Sequence, residues 1–134
     1  HSGETSMRRA SIIAMGHSCD NRWDDTIIDE LESDDFDLRL VAARSAGLLE
    51  ITDAIPHLKT MITDTNREAQ IVAIKSLAEI GGQRAIRLLE SALQTAEEMD
   101  DADMVDRIED AMSEAEFMTG QSMFDNFDMD DEID

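Results

Sequence analysis

The chain has 134 residues, enough for one domain, and its 32 acidic and 11 basic residues give a net charge of −21 at pH 7. Such a charge repels the phosphates of nucleic acids and the anionic surfaces of membranes, so neither is an expected partner. The single Cys19 excludes an internal disulfide and fits the cytoplasm, there is no signal-peptide pattern, and no apolar run approaches the ~20 residues of a membrane-spanning helix.

The first residues, 1–3, read His-Ser-Gly and are typical of the remnant of a purification tag, so they are left out of the predicted fold. The chain then enters a helical pattern partway through a helix. We therefore expect a fragment of a longer repeat protein, and a naturally short protein starting at Met7 is the alternative.

The first predicted helix covers residues 6–15. Its inward face is predicted to carry Met7, Ala10, Ile13 and Ala14. A bend follows at residues 17–21, and Trp23 is expected to begin the second helix and to pack in the core. Residues 33–37 link this helix to the next one; their carboxylates are predicted to cap the next helix and Phe36 to staple it.

The stretch 37–64 predicts two short helices joined by a tight bend. The first helix has apolar or small residues at helical spacing, at positions 38, 41, 42, 45, 46 and 49. Asp53 is the predicted N-cap of the second helix, and Pro56 falls in its first turn, where no backbone donor is lost. Leu58 is expected to be buried in the tightest part of the core.

A shift of 31 residues reproduces this pattern on both sides of the stretch. In the forward direction Ala42, Gly47, Ala54 and Ile55 correspond to Ala73, Ala78, Ala85 and Ile86. In the backward direction Arg39, Gly47, Leu58 and Ile62 correspond to Arg8, Gly16, Ile27 and Leu31. A period of this size in helix pairs predicts a solenoid, with copies at about 4–33, 34–64 and 65–96.

The third copy has its own start and stop signals. Thr65 and Glu68 match the capping box, which predicts that its first helix starts there. Gly81 and Gly82 are predicted to end that helix, and no phosphate-loop pattern surrounds them.

The copies resemble HEAT repeats, in the short bacterial and archaeal form that also occurs in phycobilisome lyases. The residues that carry the resemblance include Leu38, Arg39, Ala42, Ala43, Gly47, Asp53, Ala54, Ile55, Pro56, Leu58, Ala73, Leu77, Ile80, Gly81, Ala85, Ile86 and Leu89. The resemblance covers residues 7–95, and Glu50 departs from it because the family usually has Gly there. It implies an all-α, right-handed α-solenoid of about three helix-pair repeats.

In solenoids of this type the second helix of each pair lines the concave face. By analogy, the outward positions on that face are Asp25, Asp29, His57, Thr60, Thr63, Arg87, Ser91 and Gln94. This row changes from acidic to mildly basic along the chain. It is interpreted either as a graded surface that binds a protein or peptide, or as an ordinary solvated face.

The composition changes at about Glu97, because residues 97–134 hold 16 acids and the single base Arg107. Residues 97–118 still show a helical stripe and are predicted to form an acidic capping helix over the last repeat. The stripe consists of Met104, Ile108, Ala111, Ala115 and Met118.

Residues 119–134 alternate acids with Phe and Met, a composition typical of a disordered tail. The tail is interpreted either as a recognition segment or as a solubilising end. In the first interpretation the binding residues are Phe124, Phe127, Asp128 and Asp130.

No pattern in the sequence predicts catalysis. His17 and Cys19 are too few ligands for a zinc site, and His57 has no Ser or Cys partner in any known motif. No His is followed by Glu, which argues against the iron-dependent hydroxylases built on HEAT-like repeats. We therefore predict a non-catalytic protein-interaction scaffold without metal or cofactor; the alternative, from the resemblance alone, is a phycobilin-lyase-like enzyme subunit that needs a bilin and a partner chain.

Overall fold

A computed structural model describes the backbone over residues 2–133 and the side chains over residues 6–117. Within this part of the chain the secondary structure is entirely helical, which confirms the all-α prediction. The α-helices are α1 (Ser2–His17), α2 (Asp24–Leu31), α3 (Phe36–Leu48), α4 (Ile55–Ile62), α5 (Arg67–Ile80), α6 (Gly82–Glu98) and α7 (Ala102–Ile133). Short 3₁₀ turns at Asn21–Trp23 and Thr52–Ala54 lead into α2 and α4.

The helices lie in two rows. In the first row α1, α3, α5 and α7 contact one another in chain order. In the second row α2, α4 and α6 pack against α3, α5 and α7, and α4 also contacts α6. Helices from the two rows alternate along the chain, so the stack is an α-solenoid.

Three first-row helices begin with the same kind of cap. Asp35 accepts hydrogen bonds from the backbone N–H groups of Asp37 and Leu38 at the start of α3. Asn66 accepts one from Ala69 in α5, and Asp101 accepts one from Met104 in α7. Each side chain satisfies donors that have no partner inside the helix. The caps are 31 and then 35 residues apart, so the last copy is longer by about one helical turn.

Two of the predicted caps are wrong. Asn66, not the Thr65 and Glu68 pair, caps α5, because its side chain reaches Ala69 N–H at 3.1 Å. Asp53 lies inside the 3₁₀ turn before α4, and the N-cap of α4 is Ala54, which makes no side-chain cap bond. Pro56 does fall in the first turn of α4, as predicted.

The ends of the first-row helices share a left-handed residue. Cys19, Glu50 and Gly81 have φ values of 56°, 55° and 67°, and they are spaced by 31 residues. After α3 the N–H of Glu50 donates to Gly47 O and the N–H of Ile51 donates to Ala46 O, which is a Schellman motif. Glu50 therefore occupies the position where a side chain is least tolerated and where glycine is usual.

Close contacts between glycine and serine bring the first-row helices together. A Cβ at Gly16 would lie 2.8 Å from Ser45 Cβ, and a Cβ at Gly47 would lie 2.8 Å from Ser76 Cα. Each buried serine donates to the preceding helix, Ser45 Oγ to Ile12 O at 2.9 Å and Ser76 Oγ to Ala43 O at 2.7 Å. Glycine allows the approach, and the hydroxyl bond fixes the register of the two helices.

The predicted inward face of α1 is wrong. Ile12 and Gly16 are the buried residues, whereas Ala10 and Ala14 are exposed and Ile13 is half-buried. Met7, expected on the inward face, is 73% exposed. The reason is that α1 packs mainly on α3, so the residues that face Ser45 are buried and those on the far side are not.

The core runs through both rows as one cluster. Leu58 is fully buried, as predicted, and Trp23 packs against the cluster while half-buried. The stripe predicted for α7 is confirmed over the described side chains. Its buried members are Met104, Ile108, Ala111 and Ala115.

Helix α7 takes the next place in the first row, and its outer face is acidic. In α5 the face toward α7 carries Ile71, Ile74 and Ala78. The matching positions in α7, 35 residues later, are the exposed Asp106, Glu109 and Ser113. A face of this kind offers no apolar surface against which a further helix of the first row could pack.

The same helix continues to Ile133, so its backbone includes residues 119–133 of the predicted tail. The predicted tail residues Phe124, Phe127, Asp128 and Asp130, together with Met118, lie outside the described side chains. The role of this segment stays a prediction.

Candidate functional site

The candidate site is a groove between α4 and α6, in the second row. Helix α4 has 8 residues, whereas α6 has 17, so the second half of α6 extends beyond the end of α4. The longer spacing between the caps Asn66 and Asp101 accommodates this extension. The two helices therefore leave an open cleft of about 570 Å³, here called the α4–α6 groove.

The floor of the α4–α6 groove is apolar and comes from three helices. Ile74 of α5 and Met104 and Ile108 of α7 lie at the bottom, and all three are buried. Leu88 and Ala96 of α6 complete the floor. Leu88 is only half-buried, and open apolar surface within a concave site favours binding of an apolar group.

The walls explain why the groove is open. On α6 the wall residues are Ser91, Ala92 and Thr95, whose side chains are too short to reach across to α4. On α4 the wall consists of Lys59, Ile62 and Thr63. Met99 lies at the rim with 72% of its surface exposed.

One end of the groove is closed by an ion-pair network. Arg67 donates to Asp101 at 2.9 and 3.1 Å and to Asp103 at 2.9 Å, and Arg107 donates to Asp103 at 3.0 Å. The hydrogen bonds from Arg67 are the main reason that the pKa of both carboxyl groups lies below its usual value. The network joins the starts of α5 and α7 and leaves no free charge on Arg67 for a ligand.

The structure brings only part of the predicted surface to the groove. Ser91 lines the groove, as does Thr63. Thr60, Arg87 and Gln94 are exposed on the same helices but are not among its lining residues.

The remaining predicted positions are also away from the groove. His57 is half-buried on α4, and Asp25 and Asp29 are exposed on α2. These positions therefore do not form one continuous site with Ser91. Their role as a binding face stays a prediction.

Sequence reasoning missed the residues that define the groove, above all Thr95, Met99 and Lys59. A signal was present, because the third copy needs 35 residues instead of 31 to reach its next cap at Asp101. The extra turn lengthens α6, and the small residues on α6 then leave space instead of filling it.

The titratable groups do not form a reactive centre. Asp24 has the one resolved upward pKa shift among the described carboxyl groups; burial is the main cause, and the charges of Asp25, Asp53 and Asp20 add to it. Its Oδ1 atom is buried without a hydrogen-bond partner in the described structure. No nucleophile or histidine is hydrogen-bonded to Asp24, so this carboxyl is a strained structural group.

The described residues contain neither a metal-binding cluster nor a membrane-spanning helix. Among them no cluster of His, Cys, Asp or Glu has three or more members placed to hold a metal ion. None of the helices in the same part of the chain has both the length and the apolar character that crossing a membrane requires.

The two rows of stacked helices and the groove between second-row helices define an all-α solenoid. The sequence profile of the HEAT repeats matches residues 25–112, well over half of the chain. The chain therefore belongs to the HEAT-repeat family. The match is to HEAT repeats in general and does not bear on the resemblance to phycobilisome lyases. No curated protein sequence matches the chain.

Proposed function

We propose that this protein is a non-catalytic scaffold that binds a protein or peptide through the α4–α6 groove. The observation that carries the proposal is apolar surface left open along the groove, where Ile62 and Leu88 are half-buried and Met99 at the rim is 72% exposed. Open apolar surface within a concave site is costly in water unless a partner covers it. HEAT repeats commonly act as protein-interaction scaffolds, which supports the same conclusion.

The net charge favours a protein partner over a nucleic acid or a membrane, and the single Cys19 fits the proposed location in the cytoplasm. The net charge of −21 repels phosphate-bearing surfaces over distances up to a Debye length, which is about 8 Å at physiological salt. The groove therefore acts by hydrophobic burial, and its specificity comes from charges at the rim. We propose no cofactor, no metal and no catalytic residue.

The tail is a second candidate surface within the same proposal. Phe124 and Phe127 stand among Asp125, Asp128 and Asp130, a composition that favours recognition of an apolar site with a basic rim. Each ring gains roughly 1.5–3 kcal/mol on burial before ordering costs. The face that carries Asp29, His57, Thr60, Arg87 and Gln94 is the third candidate.

The experiment is an affinity capture with the immobilised full chain and three variants. Thr95→Trp fills the groove with a bulky side chain, and Gln83→Trp adds the same side chain at an exposed residue of the same helix that does not line it. The third variant lacks residues 120–134. Partners lost with Thr95→Trp but kept with Gln83→Trp identify the groove as the binding site.

The other outcomes assign the remaining surfaces. Partners lost only with the shortened chain identify the tail, and the double variant Phe124→Ala with Phe127→Ala should then weaken binding at least about tenfold. Partners that every variant retains would bind at the third candidate face, the one that carries Asp29, His57, Thr60, Arg87 and Gln94. A chain that captures no protein and changes the visible absorbance of an added bilin would overturn the scaffold proposal in favour of the lyase-like alternative.

A further inference from the structure

The length of the α4–α6 groove matches a helix of about three turns. Along α6 the groove runs from Leu88 to Met99, which is about 16 Å at a rise of 1.5 Å per residue. A helical partner of that length presents apolar residues at i, i+3, i+4 and i+7 on one face. Above the buried floor, the half-buried Ile62 and Leu88 and the exposed Met99 receive such a stripe.

The rim of the groove is adaptable at one end. Met99 is unbranched and exposed, so its thioether side chain adjusts to partners of different shape. Thr95 and Ser91, one and two turns before it, are small and leave the backbone of α6 accessible to a close partner. This combination suits the packing of a second helix along α6.

The charges that line the groove balance in number, Lys59 and Arg67 against Asp64 and Asp101. The adjoining stretch is strongly negative, because residues 88–108 carry seven carboxylates and one cation. Arg67 and Arg107 together pair with Asp101 and Asp103. Glu98 and Asp100, the sequence neighbours of the rim residue Met99, are exposed and have no ion pair within the described part of the chain.

From this shape and this charge we infer that the groove binds a basic amphipathic helix from another protein. The partner would place leucine-like residues on the apolar floor and Lys or Arg beside Glu98 and Asp100. The field of a chain with net charge −21 attracts such a helix and speeds its encounter. The inference rests on the proposed function, because it names the partner class for the same groove.

The same charges disfavour an acidic occupant. Residues 119–134 carry six carboxylates and no cation, so the tail of a second copy would bring further negative charge to Glu98 and Asp100. The single Lys59 on the opposite wall does not offset this repulsion. The basic helix is therefore the favoured occupant, and the tail is the competing one.

The test measures the binding of three synthetic peptides to the full chain by fluorescence anisotropy. The first is a helical leucine–lysine peptide with leucines at i, i+3, i+4 and i+7. The second has the same pattern with glutamate in place of lysine, and the third is the 119–134 segment. Each peptide is also measured against Thr95→Trp and its control Gln83→Trp, and against Glu98→Lys and its control Glu32→Lys.

We expect the leucine–lysine peptide to bind, and the other two to bind at least about tenfold more weakly. Thr95→Trp should weaken binding at least about tenfold, while Gln83→Trp stays within about twofold. Glu98→Lys should weaken binding more than Glu32→Lys, which makes the same change of net charge in the first copy.

Several results would overturn the inference. Equal binding by both tryptophan variants would mean that the peptide adheres to the acidic surface and not to the groove. Stronger binding of the 119–134 peptide would make the tail the occupant. If proteins captured through the groove bind while the leucine–lysine peptide does not, the partner class is wrong and the scaffold function stands.

Discussion

Glu50 shows how one side chain holds an unfavourable backbone conformation in this fold. Its φ of 55° lies in the left-handed region, where an L-residue other than Asn, Asp or Gly is strained by about 1 kcal/mol or more. The conformation persists because the two backbone bonds of the Schellman motif satisfy carbonyl groups at the end of α3. The strain is therefore local and removable.

We predict that Glu50→Gly raises the free energy of unfolding by about 0.5–1 kcal/mol, because glycine adopts this φ without strain. The measurement is the urea concentration at the midpoint of unfolding, which is followed by the helical signal in circular dichroism. Glu50→Ala is the control, since it removes the same charge but keeps a Cβ at the positive φ. An equal gain in both variants would assign the effect to charge and not to the backbone.

The carboxyl group of Asp24 makes the stability of the fold depend on pH. Its pKa is raised in the folded state, chiefly by burial, so folding favours the protonated form. The sign follows from linkage: native stability is highest below the unfolded pKa and falls as the pH rises through the folded pKa. At neutral pH the ionised carboxyl therefore destabilises the native state.

We predict that Asp24→Asn increases stability at pH 7, by less than about 1 kcal/mol, because Asn carries no charge but also loses the interaction with the helix dipole. The gain should disappear near pH 3, where Asp24 is protonated. Thermal unfolding at both pH values is the measurement. Asp37→Asn, an exposed carboxyl in the first turn of α3, should show no gain, and a gain there would contradict the role of burial.

At the scale of helices, the first row depends on glycine at two contacts. Gly16 and Gly47 each leave room for the serine of the next helix, whereas the third contact has Ala78 opposite Ala111. There a cleft of about 240 Å³ lies between α5 and α7, and the serine hydroxyl is absent because position 111 is alanine. The methyl group of Ala78, at the position where the other two contacts have glycine, therefore coincides with unfilled space between the two helices.

We predict that Gly47→Ala destabilises the fold by about 1–3 kcal/mol, because its Cβ would meet Ser76 Cα at 2.8 Å and the backbone must move. The direction of the change in stability distinguishes this contact from an ordinary position inside a helix. In an ordinary helix interior the same change would stabilise by about 1 kcal/mol. Chemical denaturation measures it, with Gly16→Ala as the parallel case, and a net gain in either variant would show that the row adjusts without strain.

The sequence predicted the helices better than the groove. The stripe of Leu58 and the stripe of Met104 and Ile108 were predictable, since both follow from helical spacing alone. The inward face of α1 was not, because apolar and small residues lie on both of its sides and only the contact with Ser45 decides between them. The groove could not be predicted either, because it depends on unfilled space between helices. A residue pattern indicates which side chains are buried and does not indicate where such space remains.

At the scale of the whole molecule, charge is distributed unevenly. Residues 97–134 hold 16 of the 32 acids and one of the 11 bases, and the outer face of α7 is acidic. Like charges on one helix repel one another and oppose compaction, although they keep the chain soluble. Among the described side chains of this segment, Asp101 and Asp103 have ion pairs, which they form with Arg67 and Arg107.

We predict that added sodium chloride raises the melting temperature at pH 7 by about 4 °C, which corresponds to about 1 kcal/mol for a domain of this size. Screening weakens the repulsion among many carboxylates more than it weakens the few exposed ion pairs. Differential scanning calorimetry is the measurement. The control is the same titration near pH 4, close to the isoelectric point of about 4.1, where salt should have little effect. A fall in melting temperature at pH 7 would mean that the ion pairs dominate.

The glycine and serine contacts also bear on how the chain can change its length. The segment from residue 35 to residue 65 begins at a helix cap and ends just before the next one. A tandem duplicate of this segment would bring its own serine to Gly47 and its own glycine to Ser76, so it fits between its neighbours as an interchangeable cassette. The last copy cannot be duplicated in the same way, because its extra helical turn and the contact of Ala78 with Ala111 fit only α7. Lineages that gain cassettes in the middle would therefore keep the same groove and the same acidic end, because the last cassette always places its second helix beside α6.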